Sequence, residues 1–291
     1  MKYDGWYILS DYDGTLTNNE FSVDRKNMEA AKFFMESGGH LGIATGRGMM
    51  EIEGENDGRF LYNLASIFYN GAMVIDPITK KILWSCPVPS SYKVILGDFL
   101  KVFPNLNVYI GLIDKLAFIN EGPITDQRIH DIGMCFHWRV DSKSNLNKIR
   151  EILSRKRAWD VRMKLDDINE EAYKIMIHGE VAMISKAELW MQEQTREMGY
   201  MISSSFPFNL EIVSIRAGKG NAIRWLKNQL GDCRIVAIGD GENDVAMFEY
   251  ADFSIAPFFS QDSVKALASY VLEPNTSVLG KALELIDRRV G

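Results

Sequence analysis

Apolar residues in this chain fall in short runs that stop on acidic or turn-forming residues, and these runs alternate with longer stretches of helical spacing. The first run, Trp6-Tyr7-Ile8-Leu9-Ser10, ends in Asp11-Tyr12-Asp13-Gly14, and a run of that length bounded by a turn signal predicts a buried strand. A helix should follow from near Asp24 with Ser22 as its cap, since a short polar side chain satisfies free N–H groups there and an acidic residue suits the first turn. Ala30, Ala31, Phe33, Phe34 and Met35 supply its apolar side, and Gly38-Gly39 ends it. A second strand is expected over 40–44, running into Thr45-Gly46-Arg47. Strand, helix, strand in this order predicts a parallel pair joined by a crossover helix. The stretch 49–59 is acidic and glycine-broken, which predicts a weak helix or mobile loop. Next come a strand over 67–69, the pair Asn70-Gly71, and a hairpin joining 72–75 to 81–84 around Asp76-Pro77.

From about 86 to 206 the pattern changes. Helices predicted over 92–102, 146–155 and 182–198 are interleaved with strands near 106–110, 116–119, 136–140, 161–165, 172–177 and 200–203, a mixture that predicts a separate α+β unit. The earlier rhythm then resumes with a strand over 210–213, a helix over 221–230, a strand over 234–238, a helix over 244–250, a strand over 253–255 and helices over 263–268 and 278–287. The expected fold class is α/β: a Rossmann-like parallel-sheet core with helices on both faces, built from 1–85 and 207–291, with a smaller α+β unit inserted over 86–206.

Composition narrows the function without naming it. A chain of 291 residues, 46% hydrophobic and 25% charged, can bury a large core and divides naturally into two domains. Thirty-three basic against 39 acidic residues give a net charge of −6, which argues against a nucleic-acid or anionic-membrane partner. Cys86, Cys135 and Cys233 stand far apart with no Cys-x-x-Cys pair, so free, packed thiols in a reducing compartment are expected. The N-terminal apolar run stops at Asp11, too short for a signal segment or a span, and the expected location is cytoplasmic.

An isolated Asp-Gly after a strand is ordinarily a turn. A second cluster changes that reading: Ile235-Val236-Ala237-Ile238 leads into Gly239-Asp240-Gly241-Glu242-Asn243-Asp244. In open α/β sheets ligands gather beyond the carboxyl ends of strands. Two neighbouring strands ending in this way converge several carboxylates, which repel one another unless a cation is present. An all-oxygen donor set implies a hard divalent ion, and Mg2+ is the usual one where phosphate also binds. Thr45 follows a strand and can offer its hydroxyl and backbone N–H to an anion, with Gly46 allowing close approach. Lys219, in Gly218-Lys219-Gly220, precedes a helix whose N-terminus favours negative charge. Alone, Thr45 is a helix cap and Lys219 a solvated loop lysine. Together with the carboxylates they supply what phosphoryl transfer needs: a nucleophile, a proton donor, a cation and donors to the phosphoryl oxygens.

At these residues the chain resembles the haloacid dehalogenase superfamily and, within it, the Cof-type phosphatases. The four motifs are Asp11-Tyr12-Asp13-Gly14-Thr15, Thr45-Gly46-Arg47, Lys219 and Gly239-Asp240-Gly241-Glu242-Asn243-Asp244, and Asn70-Gly71-Ala72 is also similar to Cof-type sequences. The resemblance implies that the inserted unit is a substrate-selecting cap and that Mg2+ is the cofactor. It implies that Asp11 is the nucleophile forming an aspartyl-phosphate and a metal ligand, and that Asp13 moves the proton and gives the metal its backbone carbonyl. Asp240 would be a further ligand, and Asp244 would hold the metal's water or orient Lys219. Thr45, Gly46 and Lys219 would bind the phosphoryl group, and Asn243 would contact that group or Lys219. Asp rather than Thr at position 13 implies a phosphatase or mutase, not a phosphorylated ion pump. The expected activity is hydrolysis of a small phosphorylated metabolite such as a sugar phosphate; the alternatives are a phosphosugar mutase and a non-catalytic phosphate-binding regulator.

Two places depart from the family pattern: Gly48 where proline often stands, and Ile255-Ala256-Pro257-Phe258-Phe259-Ser260, whose aromatic pair is open to three readings, core, substrate wall or partner surface, with core expected. Candidates for choosing the leaving group are Arg128, His130, His137, Arg139, Lys174 and His178, with Tyr109, Trp138 and Trp190 able to stack on a ring or to pack. Cys135 and His137 have no second Cys/His pair, which excludes a zinc site of the usual kind.

Overall fold

The computed structural model describes residues 1–17, 23–56, 62–120, 125–127, 129–130, 140–154, 160–204, 206–274 and 276–290. The chain divides into two compact units, one of Met1–Arg47, Glu55–Ser85 and Gly218–Gly291, the other of Gly48–Gly54 and Cys86–Ala217.

The first unit is built on a five-stranded parallel sheet in the order Tyr270–Val271, Phe253–Ala256, Arg234–Ile238, Trp6–Ser10, His40–Ile43. Its two central strands pair with Trp6 opposite Arg234 and Ser10 opposite Ile238, and the run from Ile235 to Ile238 is wholly buried. That is what a parallel strand covered on both sides requires. Because successive side chains alternate, Leu9, Ile235 and Ala237 pack with Ala222, Ile223 and Leu226 of the Lys219–Leu230 helix. The Arg25–Glu36 helix packs instead on the Val278–Val290 helix, with Asn27 Oδ1 accepting from the Leu279 N–H at 3.0 Å and the Ser277 hydroxyl at 2.8 Å. Ser22 lies outside the described residues. The cap of the Arg25–Glu36 helix is Asp24, whose extended backbone lets its carboxylate accept from the Lys26 N–H at 3.4 Å. A short antiparallel sheet of Ser66–Phe68, Met73–Ile75 and Ile82–Ser85 meets the parallel sheet through one bridge between Ala44 and Ile67.

The second unit carries a six-stranded sheet in the order Tyr200–Ser203, Asn209–Ser214, Lys174–His178, Asn107–Gly111, Leu116–Asn120, Asp160–Arg162, antiparallel except for the last pair. The helices Tyr92–Val102 and Val181–Gln194 cover one face, where Leu96, Phe99, Ile184 and Met191 close over Val108, Ile110, Ile175, Ile177, Leu210 and Ile212. Trp190 packs on Phe99 and Phe103 at centroid distances of 5.6 and 6.2 Å, so it belongs to the core of this unit.

The expected boundary at 207 is corrected to the crossing between Ala217 and Gly218. Residues 210–213 have the apolar alternation of a core strand, but they pair antiparallel with both Tyr200–Ser203 and Lys174–His178, and Leu210 and Ile212 complete the apolar cluster of the second unit. The expected strand over 161–165 stops at Arg162, with a single helical turn over Leu165–Asp167 after it. The acidic stretch after Gly48 forms a helix over Met49–Asn56, and most of the strand expected over 136–140 lies outside the described residues. No helix among the described residues is long and apolar enough to cross a membrane.

Candidate functional site

The ladder of the central strand continues one residue past its end: the Asp11 N–H donates to Ile238 O at 2.8 Å. This sets Asp11 beside the Gly239-Asp240 turn of the neighbouring strand. Gly14, at φ 75°, turns the chain back, and the Thr15 hydroxyl donates to Asp240 Oδ1 at 2.9 Å. The two acidic clusters, more than two hundred residues apart in sequence, are thereby tied through a side chain.

Asp240 leads into the short helix Glu242–Phe248. Asp244, on its first turn and 1% exposed, accepts at Oδ2 from the N–H groups of Asp240 and Gly241 at 3.1 and 3.0 Å. Gly239 is required for this fold-back, because a Cβ there would lie 2.3 Å from Asp244 Cβ. Lys219 is the first residue of its helix, after Gly218. It is 2% exposed, so it is not a solvated loop lysine: Nζ donates to Asp11 Oδ1 at 2.7 Å and to Asp244 Oδ1 at 2.6 Å.

Electrostatics follow from this packing. Burial pushes the Asp11 carboxyl well above the ordinary aspartate value; Lys219 opposes that shift, while Asp244, Asp240 and Asp13 add to it. For Lys219, burial works against the charged form, yet Asp11 and Asp244 more than offset it and its pKa stands above the ordinary lysine value. The cluster therefore holds one ammonium among a surplus of carboxylates. Asp11, Asp240 and Asp244 each offer an oxygen within 4.8 Å of the others, the one such group among the described residues. A hard, all-oxygen donor set of surplus negative charge fits Mg2+.

Asp13 is not in this triplet. Its carboxylate forms a two-pronged pair with Arg47, Nε to Oδ2 at 2.8 Å and Nη2 to Oδ1, and Arg47 also lies over the Tyr12 ring at 5.9 Å. In the sequence Arg47 stands out only as part of Thr45-Gly46-Arg47. An arginine at a strand end, on the same sheet edge as an acidic cluster, was the signal for its role. Thr45 is buried, and its N–H is already given to Ile67 O at 2.9 Å. The expectation that this N–H serves an anion is corrected. Its Oγ1 accepts from the Arg47 N–H at 3.2 Å, which leaves the hydroxyl hydrogen as the donor. Asn243 donates from Nδ2 to Asn70 Oδ1 at 3.3 Å, a partner the sequence reading did not assign. Gly46, between Thr45 and Arg47, belongs to this same strand-end segment.

Of the residues expected to choose the leaving group, Lys174 pairs with Glu211 at 2.9 Å. His178 meets the Tyr109 ring edge-on at 5.2 Å, and Tyr109 packs on Phe118 at 4.7 Å. His130 is half-buried. Arg128, Cys135, His137, Trp138 and Arg139 lie outside the described residues. Phe258 and Phe259 are not core residues but are 49% and 53% exposed. The strand ends at Ala256 and the Ser260 N–H closes a turn onto Pro257 O, and the two rings meet edge-on at 6.4 Å.

The family model of haloacid dehalogenase-like hydrolases matches residues 8–282. The chain is 23% identical over 274 residues to the 5-amino-6-(5-phospho-D-ribitylamino)uracil phosphatase YcsE of Bacillus subtilis, covering 92% of this chain and 90% of that protein. Among solved structures, a haloacid dehalogenase-like hydrolase from Bacteroides thetaiotaomicron superposes with a TM-score of 0.77 at 22% identity, over 98% of this chain and 99% of the other. The subclass IIB sugar phosphatase BT4131 does so with a TM-score of 0.71 at 17% identity, over 97% and 99%. At these identities the structural matches speak for the fold.

Proposed function

The chain belongs to the haloacid dehalogenase-like hydrolase family, and on that footing we propose that it is a Mg2+-dependent phosphatase that hydrolyses a small phosphorylated metabolite, such as a sugar phosphate, through an aspartyl-phosphate on Asp11. One observation carries the reading: a fully buried lysine bonded to two carboxylates, Asp11 just past the end of one central strand and Asp244 on the first turn of the helix that follows the neighbouring strand. A carboxylate approaching a phosphoryl group meets like charge. A fixed ammonium beside both lowers that barrier, and preorganised charge of this kind is the largest common contribution to such reactions.

In the proposed mechanism an Asp11 oxygen forms a bond to phosphorus as the ester oxygen leaves, and Asp13 gives that oxygen a proton. Water then attacks the phosphorus and loses its proton to Asp13; phosphate departs and Asp11 is regenerated. Arg47 holds Asp13 on both oxygens, so proton delivery requires that pair to open, and Arg47 sets the position from which Asp13 works. The Thr45 hydroxyl, the backbone at Gly46, Lys219 and Asn243 bind the phosphoryl oxygens. Asp11, Asp240, Asp244 and the Asp13 carbonyl would hold Mg2+, which supplies positive charge against the phosphoryl oxygens. The substrate class rests on the names of the relatives, a ribitylaminouracil-phosphate phosphatase and a sugar phosphatase.

The test is hydrolysis of p-nitrophenyl phosphate with Mg2+, followed by a panel of phosphorylated metabolites. Asp11→Asn is expected to abolish both turnover and the covalent phosphate recovered from acid-quenched protein; near-full activity in this variant sinks the covalent route. Phosphate release without a bisphosphate activator separates a phosphatase from a mutase.

A further inference from the structure

Three consecutive residues between two strands of the small sheet have positive φ: Tyr69 at 51°, Asn70 at 55° and Gly71 at 88°. Asparagine and glycine accept this region, but a tyrosine there is unusual, and strain of this sort persists only where the surroundings over-determine it. The surroundings are site segments. The Tyr69 N–H donates to Arg47 O and the Asn70 N–H to Thr45 O, both at 3.0 Å. Gly71 lies so close to the start of the lysine helix that a Cβ would fall 2.2 Å from the Gly218 carbonyl and 2.7 Å from Lys219 N. Asn70 Oδ1 accepts from Asn243 Nδ2 at 3.3 Å. One three-residue turn thus touches the Thr45-Gly46-Arg47 segment, the Gly218-Lys219 backbone and the last acidic motif.

We infer that Asn70 is a positioning residue: its side-chain oxygen, presented by the left-handed turn braced between Thr45 and Gly218, orients the amide of Asn243 toward the phosphoryl group. Asn243 is exposed on the first turn of its helix, where an unheld amide turns freely. An amide nitrogen carries two hydrogens. With one given to Asn70, the other serves a phosphoryl oxygen, and the Asn243 carbonyl, which an anion would repel, is kept from that place. The inference rests on the phosphate-binding role proposed above for Asn243.

Asn70→Gly isolates the effect, because glycine keeps the left-handed turn and removes only the amide. The expected result is a melting temperature near that of the wild type, with kcat/KM for p-nitrophenyl phosphate lowered about tenfold, the worth of one hydrogen bond to a charged reacting group. The inhibition constant of inorganic phosphate should rise in parallel. Asn243→Ala should lose a similar factor, and the double variant should lose little more than either alone, since the two side chains act as one unit. An active wild type with an unimpaired Asn70→Gly, or losses that multiply in the double variant, overturns this inference alone. A wild type inactive on p-nitrophenyl phosphate overturns the proposed function and this inference with it.

Discussion

Two lysines are buried to nearly the same degree, Lys219 at 2% exposure and Lys174 at 3%, and both end on carboxylates. Lys174 sits within a strand of the second unit and meets Glu211 on the neighbouring strand at 2.9 Å. In that antiparallel register Glu211 faces Met176, so the ion pair is a same-face diagonal contact of the kind that stabilises sheets, and its own charges cancel. Lys219 begins a helix of the first unit and meets two carboxylates, with Asp240 also in their group. There the negative charge exceeds the positive. A pair that cancels contributes to a fold. A cluster that does not cancel is unfavourable until something else is bound, and that surplus, rather than burial, separates the two lysines.

Replacing each lysine by methionine, which keeps most of the volume, breaks the comparison if the two variants behave alike. Lys219→Met should lower kcat for p-nitrophenyl phosphate by about a hundredfold to a thousandfold, the loss commonly seen when one preorganised electrostatic contact is removed. Lys174→Met should leave kcat near the wild-type value and act on stability instead. Breaking a buried pair costs about 3 kcal/mol, the low end of the usual range because Glu211 keeps 14% side-chain exposure, and urea denaturation would read it. Adding Glu211→Leu should return most of that loss, since an apolar pair of similar volume is often as stable as the buried ion pair it replaces. Failure of the double variant to recover would mean that Lys174 serves more than its partner.

The same contrast explains what was legible in the sequence. Periodicity located the helix Tyr92–Val102 and the strands Arg234–Ile238 and Tyr200–Ser203 to the residue, because apolar spacing and turn residues agree there. It assigned 210–213 to the wrong unit, since a buried strand reads alike whichever sheet receives it; only the pairing with Lys174–His178 decides. Asp11, Asp240 and Asp244 were legible as a set because converging strand-end carboxylates need a cation, and Lys219 because it stands between two glycines at the start of a helix. The Arg47–Asp13 pair and the Asn70–Asn243 bond were not. They depend on side chains meeting across 34 and 173 residues of sequence, and no local pattern encodes such a meeting. Phe258 and Phe259 were misplaced for a related reason: aromatic residues after a strand resemble core until the chain is seen to turn at Pro257.

The smallest expected effect is the most direct measure of the surplus charge. Burial raises the Asp11 pKa above its unfolded value, so whatever stability protonated Asp11 contributes is fully present below the unfolded value and is lost as pH rises through the folded one. Ionising Asp11 therefore costs more in the metal-free fold than in the unfolded chain, and Lys219 offsets only part of that cost. Asp11→Asn removes the cost. The metal-free variant should melt about 2 °C above the metal-free wild type, since about 1 kcal/mol moves the midpoint by roughly 2–4 °C in chains of about 150–250 residues and by less in a longer one. Mg2+ should raise the melting temperature of the wild type, because a ligand that binds the folded state stabilises it, and should do so far less in the variant. Glu211→Gln, which strips one charge from the balanced pair, should lower the melting temperature whether or not Mg2+ is present. Were Asp11→Asn also to lower the metal-free melting temperature, the cluster around Lys219 would be a balanced structural pair like that of Lys174, and the distinction between the two lysines would rest on position alone.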